Sequence, residues 1–447
     1  MNIVISAPGT GAGKTLVSQA LCSALRRTGR VVQPYKIGPD YIDAHFYERV
    51  AGRPAYNVDL WLDGAEASRV HVAATRGDAD VALFEGMMGL YDGDDAGENT
   101  SADVAKTFDA DVVVVLDLWL ASQTGAAIAF GLAHYDADVR IAGVILNRVG
   151  GPAHERSVRA ACDAHGIRVL GAIPYDDAYT AADRRLGLDP AAVERRYAAV
   201  EQLGAHIAAT WDLTPFTGRR SANRRAPVGP VAGTPAIARI AYAADRAFWF
   251  TYPETLVALR AAGAETIPFS PLDDAALPAA IDGLWIGGGY PEDFAAELET
   301  NVAMQHSVTA AIHAGVPTYA ECGGLMYLAE TLETESGSFS MCGAVRGTTS
   351  MRAPRLHIGY RTARTVRANP FDAADADVRG YEFHYATSAI EHDLAAYHLD
   401  AGRIDGVAGP TLLATFLHRH FLPGSPAVGR FVALCAQLGS TCSSPAS

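Results

Sequence analysis

Residues 3–15 read Ile3-Val4-Ile5-Ser6-Ala7-Pro8-Gly9-Thr10-Gly11-Ala12-Gly13-Lys14-Thr15, with Leu16, Ala20, Leu21 and Leu25 following at helical spacing. The order is a short apolar strand, a glycine-rich loop, then an amphipathic helix. Such a loop turns successive backbone N–H groups toward a phosphate chain. Gly9, Thr10, Gly11, Ala12 and Gly13 supply that cradle. Lys14 is spaced to reach the terminal phosphates of ATP, and the Thr15 hydroxyl is placed to ligate Mg²⁺. The loop departs from the standard spacing only where Pro8 replaces the first glycine.

Working outward, further strand-like runs occupy 31–38, 81–86, 112–118, 141–149 and 168–175. They are rich in valine and isoleucine and nearly continuous, as strands buried on both faces of a parallel sheet are. The intervals are long enough for crossover helices. Residues 1–211 are therefore predicted to form an α/β domain with a doubly wound parallel sheet. Residues 212–236 interrupt the rhythm with proline, glycine and four arginines, which predicts a linker. The alternation resumes at 237–243, 265–270, 283–288 and 316–321. A second α/β domain is expected over 237–439, with more turns and aromatics in its last third and a frayed tail after Gly439.

Acidic residues cluster where these strands end. Asp40 and Asp43 lie in Gly38-Pro-Asp-Tyr-Ile-Asp43, Glu85 ends the run 81–86, and Asp92 follows in Leu90-Tyr-Asp-Gly93. Ligands of an open parallel sheet sit beyond the carboxyl ends of its strands. Asp40 and Glu85 are expected to complete a Mg²⁺ shell with Thr15, leaving Asp43 and Asp92 to face a substrate. A helix-cap or turn role is the competing reading, strongest for Asp92 before a glycine. Tyr41, Ile42 and Tyr91 are candidate substrate contacts by proximity. Asn147, ending its strand, is a candidate contact to the nucleotide base or a cap.

The second domain contains Val316-Pro-Thr-Tyr-Ala-Glu-Cys322-Gly-Gly-Leu-Met-Tyr327. A strand, a cysteine, two small residues and a helical stretch place a thiol on a tight strand-to-helix turn, above a helix N-terminus that favours thiolate. The N–H of Gly323 and one from Gly287-Gly288-Gly289, with Gly288 the expected donor, would form an oxyanion hole. A thiolate nucleophile needs a base. His418 in Phe416-Leu-His-Arg-His420 is the best placed of 14 histidines, with His420 and His384 as alternatives.

The 447 residues are 49% hydrophobic and 19% charged, which excludes a largely disordered chain. The formal net charge of −14 argues against sequence-independent binding to nucleic acid. Six cysteines without metal-ligand spacing read as reduced thiols. No apolar stretch is long enough to span a bilayer, and no signal-peptide pattern opens the chain. A cytoplasmic protein without membrane partner is expected.

Taken in order, the phosphate loop, Lys36-Ile-Gly-Pro-Asp-Tyr-Ile-Asp43, Phe84-Glu-Gly-Met-Met-Gly-Leu-Tyr-Asp-Gly93, Tyr252-Pro-Glu-Thr-Leu256, Gly287-Gly-Gly-Tyr-Pro-Glu292, Glu321-Cys-Gly-Gly-Leu-Met-Tyr-Leu328, Gly380-Tyr-Glu-Phe-His-Tyr385 and Leu417-His-Arg-His-Phe421 resemble the cobyrinic acid a,c-diamide synthases. The likeness covers nearly the whole chain. It implies a dethiobiotin-synthetase-like ATPase domain followed by a triad-type glutamine amidotransferase domain. It further implies that Cys322 attacks the side-chain amide of L-glutamine, that His418 activates it, and that the ammonia displaces phosphate from an activated corrinoid carboxylate. ATP, Mg²⁺, glutamine and the corrinoid are the implied reactants, and a homodimer is an expected assembly. Many triad amidotransferases carry a glutamate two residues after the histidine, where this chain has His420, so the third triad member is left unassigned; Glu382 is a candidate orienter. Cobyric acid synthase, a nickel-sirohydrochlorin diamide synthase and a non-catalytic scaffold ATPase are the alternative readings.

Overall fold

The computed structural model describes residues 1–179, 190–217, 236–391 and 394–442. The chain divides into two compact units, Met1–Val228 and Gly229–Ser447. Among the described residues, the first unit is built on a seven-stranded sheet. Its strands are β1 (Asn2–Ser6), β2 (Val32–Ile37), β3 (Tyr56–Val58), β4 (Val81–Glu85), β5 (Asp111–Asp117), β6 (Ile141–Val149) and β7 (Val169–Pro174), in the order β3-β2-β4-β1-β5-β6-β7. Every pairing is parallel. The continuous apolar runs are explained by this: Ile3 and Ile5 pack toward one layer of helices, Val4 toward the other. The short strand β3 is not foreseen from the sequence, because three residues carry no period.

The six predicted strands of this unit are all present, with ends within two residues of expectation. The expected domain end at 211 falls short. Helix Thr214–Thr217 follows, and Phe216 is fully buried in the first core. An apolar side chain inside a polar stretch is enough to extend the unit. The rest of the expected linker, 218–235, lies outside the described residues.

The second unit holds β8 (Ala238–Ala243), β9 (Ala264–Phe269), β10 (Gly283–Ile286), β11 (Thr318–Glu321), β12 (Ala329–Thr334), β13 (Gly337–Ser340), β14 (Val345–Ser350), β15 (His357–Thr365), β16 (Asp377–His384), β17 (Thr387–Ile390), β18 (Ala395–His398), β19 (Ile404–Gly409) and β20 (Leu412–Thr415). Its main sheet runs β16-β15-β18-β19-β20-β11-β10-β8-β9, and β13-β12-β14-β17 form a smaller one. Strands β9, β8, β10, β11 and β20 pair in parallel, and the remainder of the main sheet is antiparallel. Strand β11 therefore sits inside the parallel half, with its carboxyl end opposite the end of β20. The last helix runs Pro426–Cys442, so the chain beyond Gly439 is helical rather than frayed at its start.

Candidate active sites

In the first unit, Gly13 (φ +92°) precedes helix Lys14–Arg27, a left-handed conformation that glycine adopts without strain. A side chain there would also collide with Asn147, whose amide would lie 2.3 Å from a Cβ. Asn147 donates from Nδ2 to the Ala12 carbonyl at 2.9 Å. It thus pins the phosphate loop from β6, a contact the sequence does not suggest. Lys14 donates to the carbonyls of Gly9, at 2.9 Å, and Met88. Burial, then the neighbouring Lys36 charge, lower Lys14 to about 8. Gly11 also has positive φ, and Gly9 and Gly11 have open space around them.

Parallel register sets Lys36 of β2 beside Glu85 of β4. Lys36 Nζ lies 2.8 Å from both Glu85 Oε1 and Asp43 Oδ2, and 3.8 Å from Asp40 Oδ2. The Thr15 hydroxyl donates to Glu85 at 2.5 Å and to Asp43 at 3.2 Å. Tyr47 donates to the other Glu85 oxygen at 2.6 Å. Burial opposes both charges in the Lys36–Asp43 pair. The pairing wins, raising Lys36 and holding Asp43 at about 2. Arg196 stands 3.9 Å from Asp43.

The structure sorts the expected acids by their contacts. Asp43, with Glu85, faces Thr15, whereas Asp40 caps helix Tyr41–Ala51 by accepting from the Ile42 and Asp43 amides at 2.9 and 3.0 Å. A carboxylate one residue ahead of a helix satisfies orphan N–H groups, and that local bond competes with ligation. Tyr41 and Ile42 form the first turn of that helix, half-buried. Asp92 accepts from the Gly89 amide at 2.8 Å, the turn role. Tyr91 donates to the Leu132 carbonyl at 2.8 Å, which ties it into the packing of the unit. Lys36 has no role that the sequence reveals; a lone lysine at a strand end gives no signal that three carboxylates will converge on it.

In the second unit, Cys322 has φ +50° and ψ −107° between β11 and helix Gly323–Leu328. A non-glycine residue so placed is held under strain by its surroundings. Its N–H donates to the Thr415 carbonyl at 2.7 Å. The elbow is close-packed: a Cβ on Gly324 would stand 2.2 Å from the Ile286 carbonyl oxygen. His418 lies beyond β20 and exchanges backbone bonds with Tyr381, both at 2.9 Å. Asp405 fixes the approach by accepting from Thr415 Oγ1 and from the amides of Phe416 and Leu417, both at 3.1 Å. The buried imidazole interacts with Cys322, and its Nδ1 is 3.6 Å from Glu321 Oε1. Burial would lower it, but the cysteine and glutamate charges raise it to about 10.

The other expectations sort themselves by partner. His420 Nε2 is 2.6 Å from Glu254 Oε1, and His384 stacks on Phe416 with Nδ1 2.9 Å from the Ala386 carbonyl. Glu382 is paired with Arg361 at 2.5 Å and Arg403 at 2.7 Å, not with His418, so it does not orient that base. The Gly288 N–H donates to the Phe250 carbonyl at 3.2 Å, which removes it as an oxyanion donor. Gly289 packs closely on the elbow: its nitrogen lies 3.0 Å from where a Cβ on Gly323 would stand. Cys22, Cys162, Cys342 and Cys435 are buried thiols outside any disulfide, and burial pushes the Cys22 thiol up to about 12.

A phosphate loop with an acidic cluster in one unit, and an elbow cysteine facing a buried histidine in the next, define a two-part ATP-using amidotransferase. Family models match accordingly: an AAA domain over residues 1–183 and a CobB/CobQ-like glutamine amidotransferase domain over 239–426. The chain is 40% identical to the hydrogenobyrinate a,c-diamide synthase of Thermobifida fusca, over 96% of both chains. It is 37% identical to the cobyrinate a,c-diamide synthase of Syntrophotalea carbinolica, over 97% of this chain and 98% of the other. The same identity and shares hold for the hydrogenobyrinate a,c-diamide synthase of Mycobacterium tuberculosis (strain ATCC 25618 / H37Rv). The chain belongs to this a,c-diamide synthase family, glutamine-dependent carbon–nitrogen ligases. Among the described residues, no helix is long and apolar enough to cross a membrane.

Proposed function

We propose that this enzyme amidates the a and c side-chain carboxylates of cobyrinate or hydrogenobyrinate, using ATP and glutamine. The observation that carries the reading is the pairing of the elbow Cys322 with the buried His418, in a chain whose other unit carries the Lys14–Thr15 loop beside Glu85 and Asp43. Cys322 Sγ attacks the glutamine side-chain carbonyl. His418 gives a proton to the departing nitrogen, which leaves as ammonia, and water then releases glutamate from the thioester. The N–H groups of Gly323 and Gly289 receive the oxyanion.

In the first unit the Gly9–Gly13 backbone and Lys14 hold the ATP phosphates. The oxygens of Thr15, Glu85 and Asp43 suit Mg²⁺ by donor type, and they converge within hydrogen-bond reach of one another. The ion would supply charge neutralisation on the phosphates. A carboxylate has no leaving group for ammonia at neutral pH. Transfer of the γ-phosphoryl to it creates one, and ammonia displaces phosphate to leave the amide. Reduced buried thiols support a cytoplasmic setting.

The test is a mass assay with ATP, Mg²⁺, glutamine and, separately, cobyrinate, hydrogenobyrinate and nickel-sirohydrochlorin. Each carboxylate converted to amide lowers the mass by about one unit, so two steps on one corrinoid ring are expected, and the preferred ring names the substrate. Reaction on nickel-sirohydrochlorin alone, or no shift while glutamine is still hydrolysed, overturns the acceptor.

A further inference from the structure

We propose that Glu321, the residue immediately before the cysteine, is the positioning carboxylate of the glutamine site, and that Tyr319 holds it in place. The proposal rests on the Cys322–His418 reading above.

Three observations converge on it. Glu321 Oε1 is 3.6 Å from His418 Nδ1, and each side chain is 4% exposed. The facing of Nδ1 to a carboxylate leaves the opposite ring nitrogen for the thiol, the arrangement by which a third group sets the tautomer of a base and stabilises its charged form. The separation exceeds a hydrogen bond and is within the looseness that such contacts show before substrate binds. Second, Glu321 is itself held. Tyr319 and Glu321 alternate onto one face of β11, and the Tyr319 hydroxyl donates to Glu321 Oε2 at 2.7 Å. The Tyr319 ring is wedged against Trp285 and Phe371, with centroids at 4.3 and 5.1 Å, so the donor has little freedom to leave.

Third, the other buried carboxylates of the unit, among the described residues, are engaged. Glu254 takes His420, Glu382 takes Arg361 and Arg403, and Asp372 takes Arg419. Asp405 is occupied by Thr415, Phe416 and Leu417. The position where many amidotransferases place their glutamate holds His420, turned to Glu254. Strand β11 supplies the carboxylate from the nucleophile's side of the site instead of from the histidine's own segment.

The experiment compares purified full-length wild type, Cys322→Ala, Glu321→Gln, Glu321→Asp and Tyr319→Phe. Glutaminase kcat and KM are read, with iodoacetamide inactivation at pH 7 and ammonia-driven amidation of the corrinoid as controls on the two units. Glu321→Gln is expected to lower glutaminase kcat about 100-fold with KM for glutamine within about threefold. It should slow inactivation by iodoacetamide and leave ammonia-driven amidation intact. Glu321→Asp should recover part of kcat. Tyr319→Phe should lower kcat about fivefold at unchanged KM, the loss expected of one hydrogen bond, and it decides the matter should Glu321→Gln fail to fold. A Glu321→Gln kcat within twofold of wild type, a change confined to KM, or an unaltered kcat in Tyr319→Phe overturns the proposal. Cys322→Ala separates the layers: if it keeps glutaminase activity, the Cys322 reading itself falls.

Discussion

The two candidate sites occupy equivalent places, the carboxyl edge of a central parallel strand before a helix, yet they hold charge in opposite ways. Around the phosphate loop one lysine, Lys36, balances Asp43 and Glu85 with Asp40 further out. The site is an acidic cradle that carries its own counter-ion. At the cysteine elbow the cation is an imidazole, which the cysteine and Glu321 keep charged. A lysine stays charged across the physiological range, whereas an imidazole gives up its proton during a reaction. The first arrangement suits a divalent ion, beside a loop whose N–H groups and Lys14 suit phosphates. The second suits proton transfer.

The sharpest way to break the comparison is to disable each site alone. Lys14→Ala should abolish amidation with glutamine and with free ammonia. Cys322→Ala should lose glutamine-driven amidation at least ~10³-fold while ammonia-driven amidation persists. Equal loss of both routes in the cysteine variant would mean that the sites do not divide the work. The next effect is on stability. Lys36→Met removes the cation in direct contact with the fully buried Glu85 and leaves Asp43 only the longer contact to Arg196, which should cost the first unit about 3–5 kcal/mol. Denaturant unfolding of the variant measures it, and a loss below about 1 kcal/mol would show the cluster to be solvated.

The two charge arrangements should also fail at opposite ends of the pH scale. His418 is raised from 6.5 to about 10. Its stabilisation is fully present below the unfolded value near 6.5 and is lost as pH rises through 10. Asp43 is depressed from 3.8 to about 2. Its stabilisation is present above 3.8 and is lost as pH falls through 2. Melting of His418→Asn should therefore converge on wild type between pH 7 and pH 10, and Asp43→Asn between pH 4 and pH 2. Parallel melting curves across either window would remove the charge pairing concerned. The smallest effect is at Asn147. Removal of its bond to the Ala12 carbonyl by Asn147→Ala should raise the KM for ATP several-fold, about 1 kcal/mol, with glutaminase activity untouched.

Much of the fold and of both sites is legible in the amino-acid sequence. The valine-rich runs give away a parallel sheet because strands covered on both faces have no polar side to alternate. The loop and the elbow are local: each is a strand, a few small residues and a helix, and neighbours in sequence decide each backbone path. Lys14, Thr15, Cys322 and His418 can accordingly be picked out from their motifs. The residues that mislead are decided by where the backbone turns next or by partners elsewhere in the chain. Asp40 and Asp43 are three residues apart in one motif, and only the start of helix Tyr41–Ala51 turns the first into a cap and the second toward Thr15. Gly288 and Gly289 are adjacent, and the bridge to Phe250 alone takes the first amide away. Glu382 stands in a motif beside a histidine, but β15 and the segment before β19 bring arginines onto it.

The sequence by itself determined that this chain has a nucleotide-binding parallel sheet, a cysteine on an elbow and a family, because those are properties of short contiguous stretches and their order. The tertiary structure alone decided which acids meet which cations. Parallel register set Lys36 beside Glu85, and the arrival of His418 at the end of β20 gave Glu321 its partner. Electrostatic pairing falls off over a few ångströms, and distances that short between remote residues exist only once the sheets have formed.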